Sequence, residues 1–497
     1  MVTAKGDAEA TVTREEIPHD HLFKVTGLSS TNLEKMAQEP EPHDFEEAIA
    51  AAGYGKFNIA LMLISIPAFW SSVSVTSSTS YIFTRAQCDM GLSLLDMGTI
   101  TAMTYGGMIS SAMVWGFLSD TLGRRQIMVW GFFCSGLIEI AAAMSQNFAM
   151  LLVTRFASGF LFNGPFAVLI SYLAELHRTE LRARVILLTS LFYTFANTTL
   201  PLVAWAILTK DWELTLFGGS IVIHSWNIFL FTTALMPLLT GLFFLCLPES
   251  PKFLMSRGRN EEAMAVKVLV EEKNEQQGRG IAALRGGYAQ LAPLFRPPHA
   301  KWLFLISSIH MGCMFGSNTL RLWYPQLAAM ISNNAKGLCS AIAPSSTHAV
   351  AVDEICVPIV TDMLTYLQSA AVGAGSVLTY GIGGAIVNSA CLIIMLPFLG
   401  TSAYAVVAMV TSALAFTSLC GASLSSITVD LFPTSLRVMA MATFLMCGRL
   451  GTITGTVIFP ALIDYGCLPP FITIGSVLTV CGLACFLLPN TTLKKLE

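Results

Sequence analysis

Three arginines, Arg155, Arg321 and Arg449, stand in stretches otherwise almost free of charge. A charge at the centre of an apolar helix costs roughly 2.5–3.5 kcal/mol even on lenient insertion scales, so Arg155 needs a partner or a wet cavity. Arg155 has a candidate partner in Glu139, a carboxyl midway along a neighbouring apolar stretch. A helix running inward from about residue 148 puts Arg155 ~10 Å below one membrane edge; one running outward from about residue 127 puts Glu139 ~18 Å above the other. In a ~30 Å core those depths nearly coincide. The two can pair, or Arg155 can bond helix carbonyls while Glu139 meets another group. Arg449 lies in Gly448-Arg449-Leu450-Gly451, with Gly455 four residues further on. Glycines there permit close helix approach. Arg449 either faces a cavity and binds an anionic group or serves structure alone.

Further acids and arginines fall at helix ends. Gly116-Phe117-Leu118-Ser119-Asp120-Thr121-Leu122-Gly123-Arg124-Arg125 places an acid at a helix end, a glycine for a tight turn, and two guanidiniums beside the acid. Glu175-Leu176-His177-Arg178-Thr179-Glu180-Leu181-Arg182 is echoed 255 residues later by Asp430-Leu431-Phe432-Pro433-Thr434-Ser435-Leu436-Arg437. Each copy reads acid, Leu, then Thr-x-Leu-Arg, an internal repeat. Enzymatic chemistry finds no support: there is no phosphate-binding Walker loop, no Gly-x-Ser-x-Gly and no His-Glu-x-x-His. The twelve cysteines form no Cys-x-x-Cys pair and no metal-ligand spacing, so neither a metal nor another cofactor is expected.

The elements that must position these residues follow from composition. Of 497 residues, 54% are hydrophobic and 12% charged, against about 25% charged in soluble domains. That excludes a water-soluble globule and a disordered chain, and predicts a polytopic membrane protein. The 67 residues between Asp362 and Asp430 carry no charged side chain. At about 20 residues per span they hold three helices, and the whole chain holds twelve. No stretch alternates as a membrane barrel would.

The predicted fold is an all-α membrane protein of twelve transmembrane helices in two six-helix pseudo-repeats. Its segments are 1–52 (cytoplasmic), 53–248 (first bundle), 249–301 (cytoplasmic loop), 302–488 (second bundle) and 489–497 (tail). With both termini inside, 22 Lys and Arg fall in cytoplasmic segments and three on the other side, which fixes the orientation by the positive-inside rule. The first 52 residues lack a signal-peptide core. Phe45, Ala48, Ile49 and Ala52 recur at helical spacing, either as a short amphipathic helix on the inner leaflet or as a plain linker. Cys339 and Cys356 share a loop facing an oxidising compartment, where a disulfide can close it.

The Gly116–Arg125 run resembles the signature loop between helices two and three of the major facilitator superfamily. Arg155-Phe156-Ala157-Ser158-Gly159 resembles its intramembrane arginine motif. Pro248-Glu249-Ser250-Pro251-Lys252-Phe253-Leu254 is similar to the signature ending helix six in the sugar-porter and organic-ion branches. Gly53-Tyr54-Gly55-Lys56-Phe57, His224-Ser225-Trp226 and Arg321-Leu322-Trp323-Tyr324-Pro325-Gln326-Leu327 resemble the branch of the synaptic vesicle glycoprotein type two. Three features depart from that pattern. Span one, around Trp70-Ser71-Ser72-Val73-Ser74-Val75, has no acid; the second-half copy of the Asp-Gly-Arg-Arg loop is uncharged; and the loop after span seven is short and lacks sequons.

The resemblance implies an alternating-access transporter with its site between the halves. Gly116, Asp120, Gly123, Arg124, Arg125, Glu175, Arg182 and Glu249, with Asp430 and Arg437 opposite, would form cytoplasmic latches. Trp70, Ser74, Asn163, Asn318, Arg321, Trp323, Tyr324, Ser425 and Arg449 are substrate-contact candidates. The expected function is secondary transport of a small organic solute across a plasma or vesicle membrane, with no nucleic-acid partner. The alternative is a membrane interaction protein that kept the fold without transporting, its protein partners meeting the cytoplasmic segments.

Overall fold

The computed structural model describes residues 55–177, 179–216, 221–250, 254, 295, 297, 299–333, 363, 366–367, 369–370, 421, 424–425, 427–428, 431–432, 434–466 and 468–488. The 1–52 segment, most of the central loop, Cys339, Cys356, Asp430 and most of spans eight to ten lie outside the described residues.

The described elements are α1 (Lys56–Met90), α2 (Leu94–Leu122), α3 (Arg124–Ala143), α4 (Phe148–Glu175), α5 (Thr179–Leu208), β1 (Glu213–Leu216), β2 (Ile221–His224), α6 (Ser225–Phe244), α7 (His299–Asn333), α8 (Thr434–Ile463) and α9 (Leu468–Cys485). Eight described helices are long and apolar enough to cross a membrane. Large apolar side chains such as Trp130, Val153, Phe304 and Leu483 are exposed on their outer faces, as helices solvated by lipid require.

Local sequence sets the helix limits. Ser93 caps α2, accepting from the Asp96 N–H at 3.2 Å while Asp96 accepts from the Ser93 N–H at 3.0 Å, a reciprocal capping box. Asn147 caps α4 by accepting from the Met150 N–H at 2.9 Å. Gly91 ends α1 at φ 63° and Gly123 joins α2 to α3 at φ 97°, a region that favours glycine.

Small residues set the packing. A Cβ added at Gly159 on α4 would stand 1.9 Å from Thr104 O on α2, and one at Gly107 on α2 would stand 2.1 Å from Phe156 O on α4. In the second bundle, a Cβ at Gly451 on α8 would stand 2.0 Å from Met311 O on α7. Backbone therefore lies on backbone in both bundles, the device by which membrane helices associate without a hydrophobic driving force.

One element was not anticipated from sequence. β1 and β2 form an antiparallel hairpin, pairing Glu213 with His224 and Leu216 with Ile221. The strands have four residues each, too short to stand out beside the long apolar run that follows. The hairpin belongs to the end of the bundle bearing Cys88: Val222 N–H donates to Gln146 Oε1 at 3.0 Å, and Trp226 Nε1 donates to Asp89 Oδ2 at 2.7 Å. Cys88 is disulfide-bonded.

Candidate functional site

Arg155 and Glu139 meet in the interior of the first bundle. Arg155 Nη1 stands 3.1 Å from Glu139 Oε2, and both side chains are fully buried. Ser158, one turn along α4, donates to Glu139 Oε1, and Arg155 Nη1 reaches Ser78 Oγ of α1 at 3.4 Å. Helices α1, α3 and α4 are thus joined by one polar network. A buried pair of this kind repays its desolvation only when further hydrogen bonds satisfy its oxygens and protons; the serines satisfy Glu139 Oε1 and Arg155 Nη1, while Arg155 Nε and Nη2 make no hydrogen bond.

At the opposite end from Cys88, the acid–arginine loop is tied within its own half. Arg124 N–H and Arg125 N–H donate to Glu249 Oε1 at 2.8 and 3.1 Å. Gly123 has no side chain with which to cap α3, so Glu249 caps it from beyond the end of α6. A carboxylate is favoured there by the helix dipole. The Arg124 guanidinium approaches Glu175 Oε1 at 3.8 Å and donates to Ser119 O at 2.9 Å. Arg125 Nη2 donates to Leu245 O at 2.7 Å, and Ser250 Oγ donates to Glu175 Oε2. Gly116 lies on an exposed face of α2. The side chains of Asp120, Arg182 and Arg437 lie outside the described residues.

Burial pushes the Glu249 carboxyl up from its ordinary value, against the pull of the Ser250, Arg125 and Arg124 N–H groups and the Arg124 charge. A raised carboxyl contributes stability that is complete below the unfolded value and lost as pH rises through the folded one. At neutral pH, Glu249→Gln keeps an acceptor and removes the desolvated charge, so its melting temperature should match or exceed that of the parent. Glu249→Ala uncaps α3 and should cost about 1–2 kcal/mol. Thermal unfolding of the purified pair checks the order; equal losses for both would contradict it.

A second polar group lies at mid-bundle where the halves meet. Arg321 of α7 donates through Nη1 to Tyr193 OH at 3.0 Å and Asn197 Oδ1 at 3.4 Å, both on α5. Arg449 of α8 reaches Met108 O on α2 at 3.4 Å. Tyr105 of α2 is an electrostatic neighbour of both guanidiniums. Asn318 donates to Thr452 Oγ1 at 2.8 Å, joining α7 to α8. Trp70 donates to Thr199 Oγ1 at 3.0 Å, and Ser74 is buried on the next turn of α1. Arg321, Arg449 and Asn318 are half-buried.

Other candidates lie elsewhere. Asn163 donates to Met108 O at 2.8 Å inside the first half. Trp323 stacks on Phe459 at 5.5 Å between ring centroids, and Tyr324 is buried in the same apolar cluster. Ser425 is half-buried. The sequence reading missed Tyr193, Asn197 and Tyr105; their polar types inside spans were the available signal, but only their rotation towards Arg321 selects them.

Long apolar helices, glycine-seated crossings, a buried ion pair and a polar seam between two bundles define a polytopic membrane protein of the transporter type of architecture. The chain belongs to the sugar (and other) transporter family, which matches residues 50–497. It is 27% identical over 296 residues to mouse synaptic vesicle glycoprotein 2C, covering 54% of this chain and 41% of that protein. Against rat synaptic vesicle glycoprotein 2B it is 25% identical over 252 residues, covering 50% and 37%. The chain thus spans less than half the length of either relative. Among solved structures, the xylose transporter XylE of E. coli, in a partially occluded inward-open conformation, aligns at TM-score 0.65 and 15% identity over 89% of this chain and 100% of that one. A bacterial homologue of the human lysosomal transporter Spinster, inward-facing, aligns at TM-score 0.59 and 12% identity over 90% and 97%. The fold is that of the major facilitator superfamily.

Proposed function

We propose that the protein is a secondary transporter moving a small organic solute by alternating access, with its site at the seam of the two halves. One observation carries the reading. Polar groups of α1, α2, α5, α7 and α8 meet at mid-bundle, and two of them are half-buried arginines. A fold kept only as a scaffold has no use for charged groups at that depth, where each costs several kcal/mol. The cytoplasmic acid–arginine set braces the α2–α3 turn to α4 and α6, so that the first half moves as a unit. Asp430 and Arg437 are its second-half counterpart in latching the halves. Both termini are cytoplasmic, and the membrane is a plasma or vesicle membrane.

The test is untargeted mass spectrometry of solutes in sealed vesicles with and without the full chain. At least one compound is expected to accumulate or drain only when the protein is present. Identical vesicle contents over a broad solute mixture would overturn transport and favour the interaction-protein reading, with partners then sought on segments 1–52 and 249–301.

A further inference from the structure

We propose that the β1–β2 hairpin is a lipid-docking surface, seating Trp212 and Leu214 in the bilayer leaflet on the Cys88 side. The inference goes beyond the transport reading and does not depend on it.

The first ground is the hairpin's level. Helices α3 and α6 have 20 residues each. At 1.5 Å per residue that is about 30 Å, the hydrocarbon thickness of a bilayer with nothing to spare. Their ends on the Cys88 side are level, since Asn227 Nδ2 donates to Ala143 O at 2.9 Å. Strand β2 runs directly into α6, and Gln146 in the α3–α4 turn clamps its middle. Gln146 Oε1 accepts from the Val222 N–H at 3.0 Å, and Gln146 Nε2 donates to Val222 O at 3.1 Å. The start of β1 is tied to the same level, the Trp212 N–H donating to Ser225 Oγ at 3.0 Å. The hairpin is thus held at the hydrocarbon boundary.

The second ground is its two faces. Leu214 pairs with Ile223, while Glu213 pairs with His224 and Thr215 with Val222. Directly opposed residues share a face, and successive ones alternate. Glu213, Thr215 and His224 therefore make one face mostly polar. On the other face Ile223 is buried, whereas Leu214 is 55% exposed. Trp212, two residues before Leu214, is 47% exposed. The apolar face is half covered by protein and half bare.

The third ground is what the bare half can meet. Two side chains do not make a specific protein interface, which takes about 800 Å² from each partner. They suffice for a bilayer, which needs no complementary surface and at whose headgroup level tryptophan is enriched. Just beyond the Gln146 clamp, Met150 and Val153 at the start of α4 are exposed as well, so the lipid-facing surface of the helices reaches the hairpin.

The test uses the full chain in nanodiscs of lipids brominated near the top of the acyl chain, with iodide as the quencher in water. In a Trp212→Phe background, Leu214→Trp and Thr215→Trp each add one indole, on opposite faces of β1 and at exposed positions. Bromine should quench the emission added by Leu214→Trp severalfold more than that added by Thr215→Trp, and the order should reverse with iodide. Trp212 gives a reading that needs no new side chain: the part of the parent's emission that Trp212→Phe removes should respond to bromine and not to iodide. Melting temperatures of the two tryptophan variants should match that of the background, which reports on folding separately.

Quenching of both added indoles by iodide alone would put the whole hairpin in water and overturn the proposal. Protection of Leu214→Trp from both quenchers would mean that protein covers the face, a second copy of the chain included, and would overturn it as well. Either result leaves the transport reading untouched.

Discussion

Glu139→Ala is expected to cost about 3–5 kcal/mol, because it leaves the Arg155 guanidinium buried without a counter-charge. Arg155→Ala should cost a similar amount by leaving Glu139 unpaired. The double variant Glu139→Ala, Arg155→Ala should be more stable than either single one, since removing both charges removes the desolvation cost that neither can bear alone. That reversal distinguishes an ion pair from two independent packing residues, whose losses would add. Thermal unfolding in detergent measures all three. A double variant at the sum of the single losses would show that the pair does not act as a unit. The exchange Glu139→Arg, Arg155→Glu is a stricter version. It restores the pair's charges, but Ser158 then no longer meets a carboxylate on α3, so recovery should be partial.

How this network could be read from sequence shows where such reading stops. Depth along a helix depends only on residue count, so rise alone brought Glu139 and Arg155 to one level. Rotation about the helix axis depends on packing, so the serines that complete the network, Ser78 and Ser158, were not legible. The same limit separates the interface candidates. Trp323 and Arg321 are two residues apart on α7, yet one stacks on Phe459 and the other crosses to Tyr193. Residue type drew both into one list, and helix phase divided them. At the end opposite Cys88, the Pro248–Leu254 run marked the close of span six. Its acid caps a helix that starts more than a hundred residues earlier in the chain, and nothing local to Glu249 announces that. The apolar composition, by contrast, announced membrane-spanning helices, because lipid solvates composition rather than detail.

Gly98→Val is expected to alter conformational balance more than stability. Gly98 lies one turn into α2 at the Cys88 end, where α2 meets α8 of the other half, and an added Cβ would stand 2.4 Å from Thr456 O and 3.2 Å from Pro460 Cγ. A backbone oxygen and a proline ring cannot swing aside as a flexible side chain would, so the two helices must separate. Near them, Gln326 donates to Gln87 Oε1 at 3.2 Å and Tyr81 stacks on Tyr366 at 6.5 Å, so the halves are in contact at this end. Overpacking costs about 1–3 kcal/mol, and here that cost falls only on states in which the Cys88 end is shut. The equilibrium between shut and open should therefore move by about 5- to 150-fold towards open. Gly159→Val makes the comparison sharp, because its added Cβ would meet Thr104 O within the first half, in every state of a transport cycle, and so should lower the melting temperature instead. An Asn318→Cys reporter at the seam, labelled by an impermeant maleimide from the Cys88 side against the background of native cysteines, reads the balance. Labelling should rise severalfold with Gly98→Val while its melting temperature falls less than that of Gly159→Val. Unchanged labelling would mean that the α2–α8 contact is not part of a closing gate, and that the two halves meet there in one fixed arrangement.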